Sequence, residues 1–162
     1  MELRFSVQTK IQKPVHEVFD AVHNPKKLSA YFTNGGADGP LDEGKTVQWK
    51  FVDTGAEPVT VPVRVVKTVK DKSITFRWSA SEGVYDPKTG AMPKPGGYDT
   101  TVELTFEPLG EKETLVKIVE GEWRPTQEGL QGSYSNCSGW MHMSCCLKAY
   151  VEHGIDLRKG SF

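Results

Sequence analysis

The spacing of apolar residues changes to that of a helix at residues 126–153, TQEGLQGSYSNCSGWMHMSCCLKAYVEH. Side chains three, four and seven positions apart share one face of a helix, so this spacing predicts a helix of about residues 127–153 with two adjacent apolar stripes. One stripe contains Trp140, Met143, Leu147, Tyr150 and Val151, and the other contains Leu130, Tyr134, Cys137, Met141 and Cys145. Thr126 and Gly154 are typical residues at the start and end of such a helix.

The preceding part of the chain supplies the layer against which this helix can pack. Segments in which apolar and polar residues alternate predict strands with one buried face, and their close succession is typical of antiparallel hairpins. We expect a curved antiparallel sheet of about six strands around the long C-terminal helix, an α+β architecture, because only that helix is long enough to cover the apolar face. The predicted strands are residues 2–11, 47–51, 59–65, 74–78, 101–106 and 116–119.

The connections between these strands differ in character. An apolar stripe at residues 15–22 and the pair Asn24-Pro25, a cap followed by a first-turn proline, predict two short helices after the first strand. Residues 33–45 are rich in glycine and are predicted as a loop. Residues 81–98 contain three prolines and four glycines. We expect them to leave the core as a mobile tip or a lid, since hairpin loops are normally much shorter.

Composition sets limits on the class of protein. The 162 residues suit one domain over residues 1–162, and 37% apolar with 25% charged residues is typical of a soluble globular chain. A net charge of −1 argues against nucleic acid or an anionic membrane as the main partner. No apolar run is long enough to span a bilayer, and no signal-peptide core is recognisable. There are three cysteines, Cys137, Cys145 and Cys146, and on a helix Cys137 is too far from Cys145 to form a disulfide. We therefore expect reduced thiols and a cytoplasmic location.

Three stretches carry a resemblance to a known family. The segment IQKPVHEVFDAVHNPKKLSAYFT at residues 11–33, the loop DGPLDEGKTVQWKF at 38–51 and the helix GWMHMSCCLKAYVEHGIDLR at 139–158 follow one another in its order. Together they resemble domains related to the activator of the ninety-kilodalton heat-shock-protein ATPase, within the helix-grip fold of the START and birch-pollen-allergen superfamily. Tyr31 stands where that family usually has Trp, and Ser144 where Leu is common.

The resemblance implies three kinds of function. Members of the superfamily bind apolar small molecules between helix and sheet, and some branches are cyclases or dehydratases. The activator branch stimulates a chaperone ATPase. The same fold is compatible with all three functions, so the function must be inferred from the side chains on the covered face.

The covered face is predicted to carry large rings opposite small helix residues, which would leave a partly open apolar cavity. Glu120 is in phase with Val116 and Ile118, so alternation aims it at the same face, where it could serve as a general acid or a ligand contact. If the strand ends or bulges before Gly121, Glu120 could instead reach water or pair with an arginine. Gly139 and Ser144 lack the bulk that would close the space. The candidate cavity residues are Trp49, Phe51, Phe76, Trp78, Phe106, Glu120, Tyr134, Trp140 and Ser144.

Other chemistries find little support in the sequence. His142, Cys145 and Cys146 have a spacing that could share a zinc ion, but a structural site needs four ligands, so packing is the favoured interpretation. No charge that would stabilise a thiolate lies near these cysteines in sequence, and no phosphate-binding loop or nucleophile elbow is present. We therefore predict no metal, no cofactor and no catalytic residue.

The predicted function is non-enzymatic binding of an apolar small molecule in the cytoplasm. One alternative is an accessory role for the ninety-kilodalton heat-shock-protein chaperone. The other is a cyclase- or dehydratase-like enzyme with Glu120 or His142 as acid or base. A deep cavity with a lone polar group would favour a binder or an enzyme, and a filled core would favour a protein partner.

Overall fold

The computed structural model describes residues 1–84, 86–91 and 93–162. Over these residues the chain has the predicted order of a strand, two short helices, a run of strands and a long helix. The strands are β1 (Leu3–Ile11), β2 (Gly36–Ala37), β3 (Thr46–Phe51), β4 (Val59–Val69), β5 (Ser73–Glu82), β6 (Lys94–Gly110) and β7 (Glu113–Trp123). The helices are α1 (Val15–His23), α2 (Pro25–Ser29) and α3 (Gln127–His153).

Within the described residues the strands form one seven-stranded antiparallel sheet in the order β1-β7-β6-β5-β4-β3-β2. The first strand therefore pairs with the last, which returns the chain to its starting edge before α3 begins. Side chains of alternate residues, such as Phe76, Leu104 and Ile118, are fully buried on the face toward α3. The predicted α+β helix-grip architecture is confirmed.

The connection predicted at residues 81–98 is shorter than expected. β5 continues to Glu82 and β6 already begins at Lys94, so the connection is residues 83–93, with an isolated bridge between Asp86 and Ala91. A shift in strand register between Ser79 and Ser81 accommodates Gly96 and Gly97, two of the four glycines on which the loop prediction rests. Tyr85 and Met92 lie outside the described residues.

Local sequence accounts for the ends of the helices. Asn24 Oδ1 accepts a hydrogen bond from the Lys26 backbone N–H at 3.0 Å, and Pro25 follows as the first residue of α2. Thr126 Oγ1 accepts from the Gly129 N–H at 3.1 Å and caps α3. Gly154 ends α3 in the left-handed region at φ 67°, where glycine carries no steric penalty.

Helix α3 lies on the sheet through the Trp140 stripe. Trp140, Met143, Cys146 and Leu147 are buried, while Val151 is only partly covered. Tyr134 is 66% exposed, so its predicted place on the covered face is wrong. Tyr134 precedes Trp140 by six residues, which at about 100° per residue places it roughly 120° away around the helix axis.

Two glycines of α3 that look alike in the sequence have opposite surroundings. A Cβ at Gly132 would lie 2.4 Å from the Ser81 carbonyl oxygen, whereas a Cβ at Gly139 would meet nothing within 4 Å. We expect Gly132→Ala to lower the free energy of unfolding by about 1–3 kcal/mol through overpacking. Gly139→Ala should raise it by up to about 1 kcal/mol, because alanine is the better helix former. Urea denaturation of both variants checks this, and a change of the same sign in both would contradict it.

Candidate functional site

A half-open cavity of about 530 Å³ lies at one end of the interface between α3 and strands β3, β4 and β5. Its sheet side comes from the end of β3, the start of β4 and the end of β5. Its helix side comes from residues 135–142 in the middle of α3, and residues that follow α3 close one edge. The residues that line the cavity include Phe32, Phe51, Trp78, Asn136, Gly139, Trp140, His142 and Arg158.

Aromatic rings form one wall of this cavity. The rings of Trp78 and Trp140 lie 5.3 Å apart between centroids and are inclined at 32°. Phe32 extends the wall, 6.0 Å from Trp140, and meets Phe51 edge-on at 5.2 Å. These separations are in the range of favourable ring contacts, so the rings stabilise one another and form a continuous aromatic wall.

The carboxylate of Glu120 lies behind this wall and is fully buried. Its Oε1 accepts hydrogen bonds from Trp78 Nε1 at 2.9 Å and Thr100 Oγ1 at 2.6 Å. Its Oε2 accepts from Trp140 Nε1 at 2.9 Å, and Asn136 Nδ2 lies 3.2 Å from both oxygens. The carboxylate therefore holds both indole rings by their N–H groups and ties the sheet to α3.

Burial raises the pKa of Glu120 above its ordinary value of 4.5, and the hydrogen bonds from Thr100, Trp78, Trp140 and Asn136 lower it only in part. A raised folded-state pKa means that Glu120 favours the folded state most below its ordinary pKa. That contribution is lost as pH rises through the folded-state pKa.

As pH rises above the ordinary glutamate pKa of 4.5, we expect the difference in unfolding free energy between wild type and Glu120→Gln to shift against wild type. The glutamine variant does not titrate at this position, so the comparison cancels the other carboxylates. Urea denaturation at several pH values measures it. A difference that moves in favour of wild type with rising pH would show that the hydrogen bonds outweigh burial.

An ion pair occupies the opposite edge of the cavity. Arg158 donates from Nε and Nη2 to the two carboxylate oxygens of Asp53, both at 2.8 Å. The guanidinium carbon lies 5.2 Å from the centre of the Phe51 ring and 4.7 Å from that of Phe162. Because the pair is nearly buried, it anchors the segment after α3 against the sheet.

The predicted site residues separate into three groups in the structure. Phe51, Trp78 and Trp140 line the cavity, and Glu120 stands behind the two tryptophans. Trp49 and Phe76 are buried in the core beneath them, in edge-on contact with Trp78.

The other three predicted residues lie elsewhere. Phe106 is buried against Phe19, away from the cavity. Ser144 leaves no open space: it is 2% exposed, and its hydroxyl donates to the Trp140 carbonyl oxygen at 2.9 Å. One turn beyond Trp140 it faces the core, and the open space is at Gly139 instead. Tyr134 points away from the sheet, as described above.

Several lining residues were missed by sequence reasoning. Asn136 precedes Trp140 by one helical turn, and this spacing could have placed it on the same face. Arg158 lies beyond α3, outside any periodic element, and its partner Asp53 is 105 positions away. Phe32 follows the short helix α2, and no pattern in the sequence indicates that it reaches the cavity.

The histidine and cysteine cluster has the character of packed side chains. Cys146 Sγ lies 3.5 Å from His142 Nε2. Burial raises the pKa of the Cys146 thiol to about 11 and lowers the pKa of His142. In the part of the chain that the structure describes, no three His, Cys, Asp or Glu side chains are grouped as metal ligands would be.

A second hollow, of about 610 Å³, lies beside α1 and the turn after β4. Polar and charged groups dominate its lining, including His23, whose Nε2 lies 2.8 Å from Asp42 Oδ1. It has neither an aromatic wall nor a buried polar anchor, so the cavity beside α3 is the better candidate site.

No helix among the described residues has the length and apolar character needed to cross a bilayer.

Similar structures share this fold at low sequence identity. DynU16, a protein of the dynemicin biosynthetic locus, is 22% identical with a TM-score of 0.69; the alignment covers 94% of this chain and 48% of DynU16, so this chain spans about half of that protein. MLL2253 from Mesorhizobium loti is 16% identical with a TM-score of 0.71, over 94% of this chain and 99% of the other. The Aha1 dimer from Colwellia psychrerythraea is 17% identical with a TM-score of 0.68, over 94% and 98%.

Sequence comparison gives the family. No curated protein matches the chain significantly. The family model described as "Activator of Hsp90 ATPase homolog 1-like protein" matches residues 12–152, which include both short helices, most of the sheet and nearly all of α3. The chain belongs to this family.

Proposed function

We propose that this protein binds an apolar small molecule, without catalysing its conversion, in the cavity between the sheet and α3. The observation that carries the proposal is the half-open cavity of about 530 Å³ with its wall of aromatic rings. This volume lies within the range of small-molecule sites, roughly 300–1,000 Å³, and such sites combine apolar walls with a few placed polar groups.

Gly139 supports the proposal from the helix side. A side chain here would enter open space, since an added Cβ meets nothing within 4 Å. Alanine would be the better helix former at this position by up to about 1 kcal/mol. Gly139 therefore leaves this part of the cavity unfilled, although it makes the helix less stable than alanine would.

The polar groups of the site favour binding over catalysis. Both oxygens of Glu120 are occupied by donors, and the carboxylate lies behind the tryptophans rather than on the cavity surface. A general acid or base must reach the proton that it transfers, and Glu120 does not reach the cavity. His142 does line the cavity, but its Nε2 faces Cys146 Sγ.

Titration with Nile red, a neutral dye that fluoresces in apolar surroundings, tests the proposal. Wild type should bind the dye at one site, and Gly139→Leu should weaken binding by about tenfold or more because the new side chain fills the cavity. Ser138→Leu is the matched control, since Ser138 is exposed and outside the lining. It should leave the affinity within about twofold of wild type.

Two results would contradict the proposal. One is the absence of saturable dye binding to wild type, and the other is equal weakening by the two leucine variants. Native mass spectrometry of protein purified from its own host provides an independent measurement, because a retained ligand adds mass to the folded protein.

A second candidate function is contact with a chaperone of the Hsp90 class, and one surface feature favours it. No Asp, Glu, Lys or Arg occurs between Glu128 and Lys148, and the outer face of α3 exposes Tyr134, Met141 and Cys145. An uncharged, partly apolar face of this kind is typical of protein contacts. Stimulation of Hsp90 ATPase by wild type but not by Tyr134→Glu would support this function, and no stimulation would exclude it.

The proposed location is the cytoplasm. Cys137, Cys145 and Cys146 are free thiols in the structure, as expected of a reducing compartment.

A further inference from the structure

The cavity contains one side-chain amide whose orientation is set from behind. Asn136 Nδ2 faces Glu120 and lies 3.2 Å from both carboxylate oxygens. Both oxygens of Glu120 already accept hydrogen bonds from Trp78, Thr100 and Trp140, so the carboxyl group acts as an acceptor here and faces the nitrogen arm of the amide. The amide is planar, and Oδ1 therefore points away from Glu120.

The Asn136 oxygen is left without a partner among the described residues. The buried side-chain atoms that lack hydrogen bonds in this part of the chain are Trp49 Nε1, Thr54 Oγ1 and Trp123 Nε1. Asn136 Oδ1 is not one of them, so it is accessible, and Asn136 is itself part of the cavity lining. A fixed acceptor is thus presented to whatever occupies the cavity.

The neighbouring wall offers no competing donor. The N–H groups of Trp78 and Trp140 both point to Glu120, so neither indole N–H is free to bond to a ligand. Other polar side chains, including Ser79, Ser135 and His142, also line the cavity, but Asn136 is the one that shares its carboxylate partner with both tryptophans. Hydrogen bonding to the Asn136 oxygen requires a hydroxyl or N–H on the ligand.

We infer that Asn136 selects ligands that carry a hydrogen-bond donor, and that Glu120 is the positioning residue which fixes the Asn136 amide in the accepting orientation. This inference rests on the proposed function and makes it more specific: the ligand is an aromatic or other flat apolar molecule with a hydroxyl or N–H group at the tryptophan wall. Glu120 acts through Asn136 and does not touch the ligand.

The test compares 2-naphthol, which donates, with 2-methoxynaphthalene, which has the same ring system and cannot donate. Wild type should bind 2-naphthol about five- to tenfold more tightly, the effect of one hydrogen bond. Asn136→Leu should bind both and show no preference. Comparing the affinity ratio between the two proteins cancels the difference in hydrophobicity between the probes.

Glu120→Gln tests whether Glu120 orients the Asn136 amide, because a purely structural role for Glu120 would not change the ligand preference. The amide nitrogen of the new side chain can face Asn136, which then turns Oδ1 inward and Nδ2 toward the cavity. The preference for 2-naphthol should disappear, and affinity for 2-acetylnaphthalene, which only accepts, should rise about threefold over wild type. Circular dichroism establishes that each variant is folded at the temperature of the titration.

The outcomes separate the inference from the proposed function. If wild type binds both naphthalenes equally, or Asn136→Leu keeps the preference, the selection by Asn136 is overturned while the cavity remains a ligand site. If Glu120→Gln keeps the wild-type preference, the positioning role of Glu120 is overturned. If neither naphthalene nor Nile red binds wild type, the proposed function fails and the inference fails with it.

Discussion

Glu120→Ala should lower the free energy of unfolding by about 3–5 kcal/mol, because it removes the acceptor shared by several buried donors. The indole N–H groups of Trp78 and Trp140 and the amide of Asn136 all point at this carboxylate. Without it they have no acceptor, and the truncated side chain leaves a void between the sheet and α3. Urea denaturation followed by tryptophan fluorescence measures the loss and reports on the released rings at the same time.

Two comparisons make this result specific. Glu103→Ala removes an exposed carboxylate from the neighbouring strand β6 and should change stability by less than about 0.5 kcal/mol. Glu120→Gln keeps one acceptor oxygen and should fall between wild type and the alanine variant. A loss below about 1 kcal/mol for Glu120→Ala would mean that water from the cavity satisfies the released donors.

Leu147→Ala should lower the free energy of unfolding by about 2–5 kcal/mol, the usual cost of truncating a buried leucine. Leu147 is fully buried in the stripe of α3 that faces the sheet and belongs to the main apolar core. Its loss removes apolar burial and leaves a cavity that a packed core cannot fully close. Chemical denaturation gives the value from the midpoint and the slope of the transition together.

Cys145→Ala is the matched control for this experiment. Cys145 is exposed and lies two residues from Leu147 on the same helix, so the change should cost less than about 0.5 kcal/mol. If Leu147→Ala were equally mild, the Trp140 stripe would not be the face on which α3 packs.

The elements of this fold are predictable from the sequence because each has one buried face, and burial leaves a period in the chain. The period of α3 and its end at Gly154 were predicted closely, and Asn24 caps α2 as expected. Alternation along β7 pointed Glu120 toward the covered face, where the structure places it. The extension of β5 and β6 into residues 81–98 could not be predicted, because glycine and proline there indicate a loop.

The candidate site was less predictable than the fold. Two apolar stripes run along α3, and the sequence does not tell which of them meets the sheet; Tyr134 was therefore assigned to the wrong side. Ser144 and Gly139 are both small residues, yet Ser144 is packed in the core and Gly139 borders open space. Which small residue leaves room depends on how closely the opposite layer approaches, and that distance is not a local property.

The sequence by itself determined the type and order of the main strands and helices, which of their faces are apolar, and which family the chain resembles, because those properties depend on neighbours within one or two turns. Only the tertiary structure decided the convergence of Trp78, Asn136 and Trp140 on Glu120 and the pairing of Arg158 with Asp53. These contacts join residues from 16 to 105 positions apart. No local period records such contacts, because they form only when sheet curvature and the path of the chain bring distant segments together.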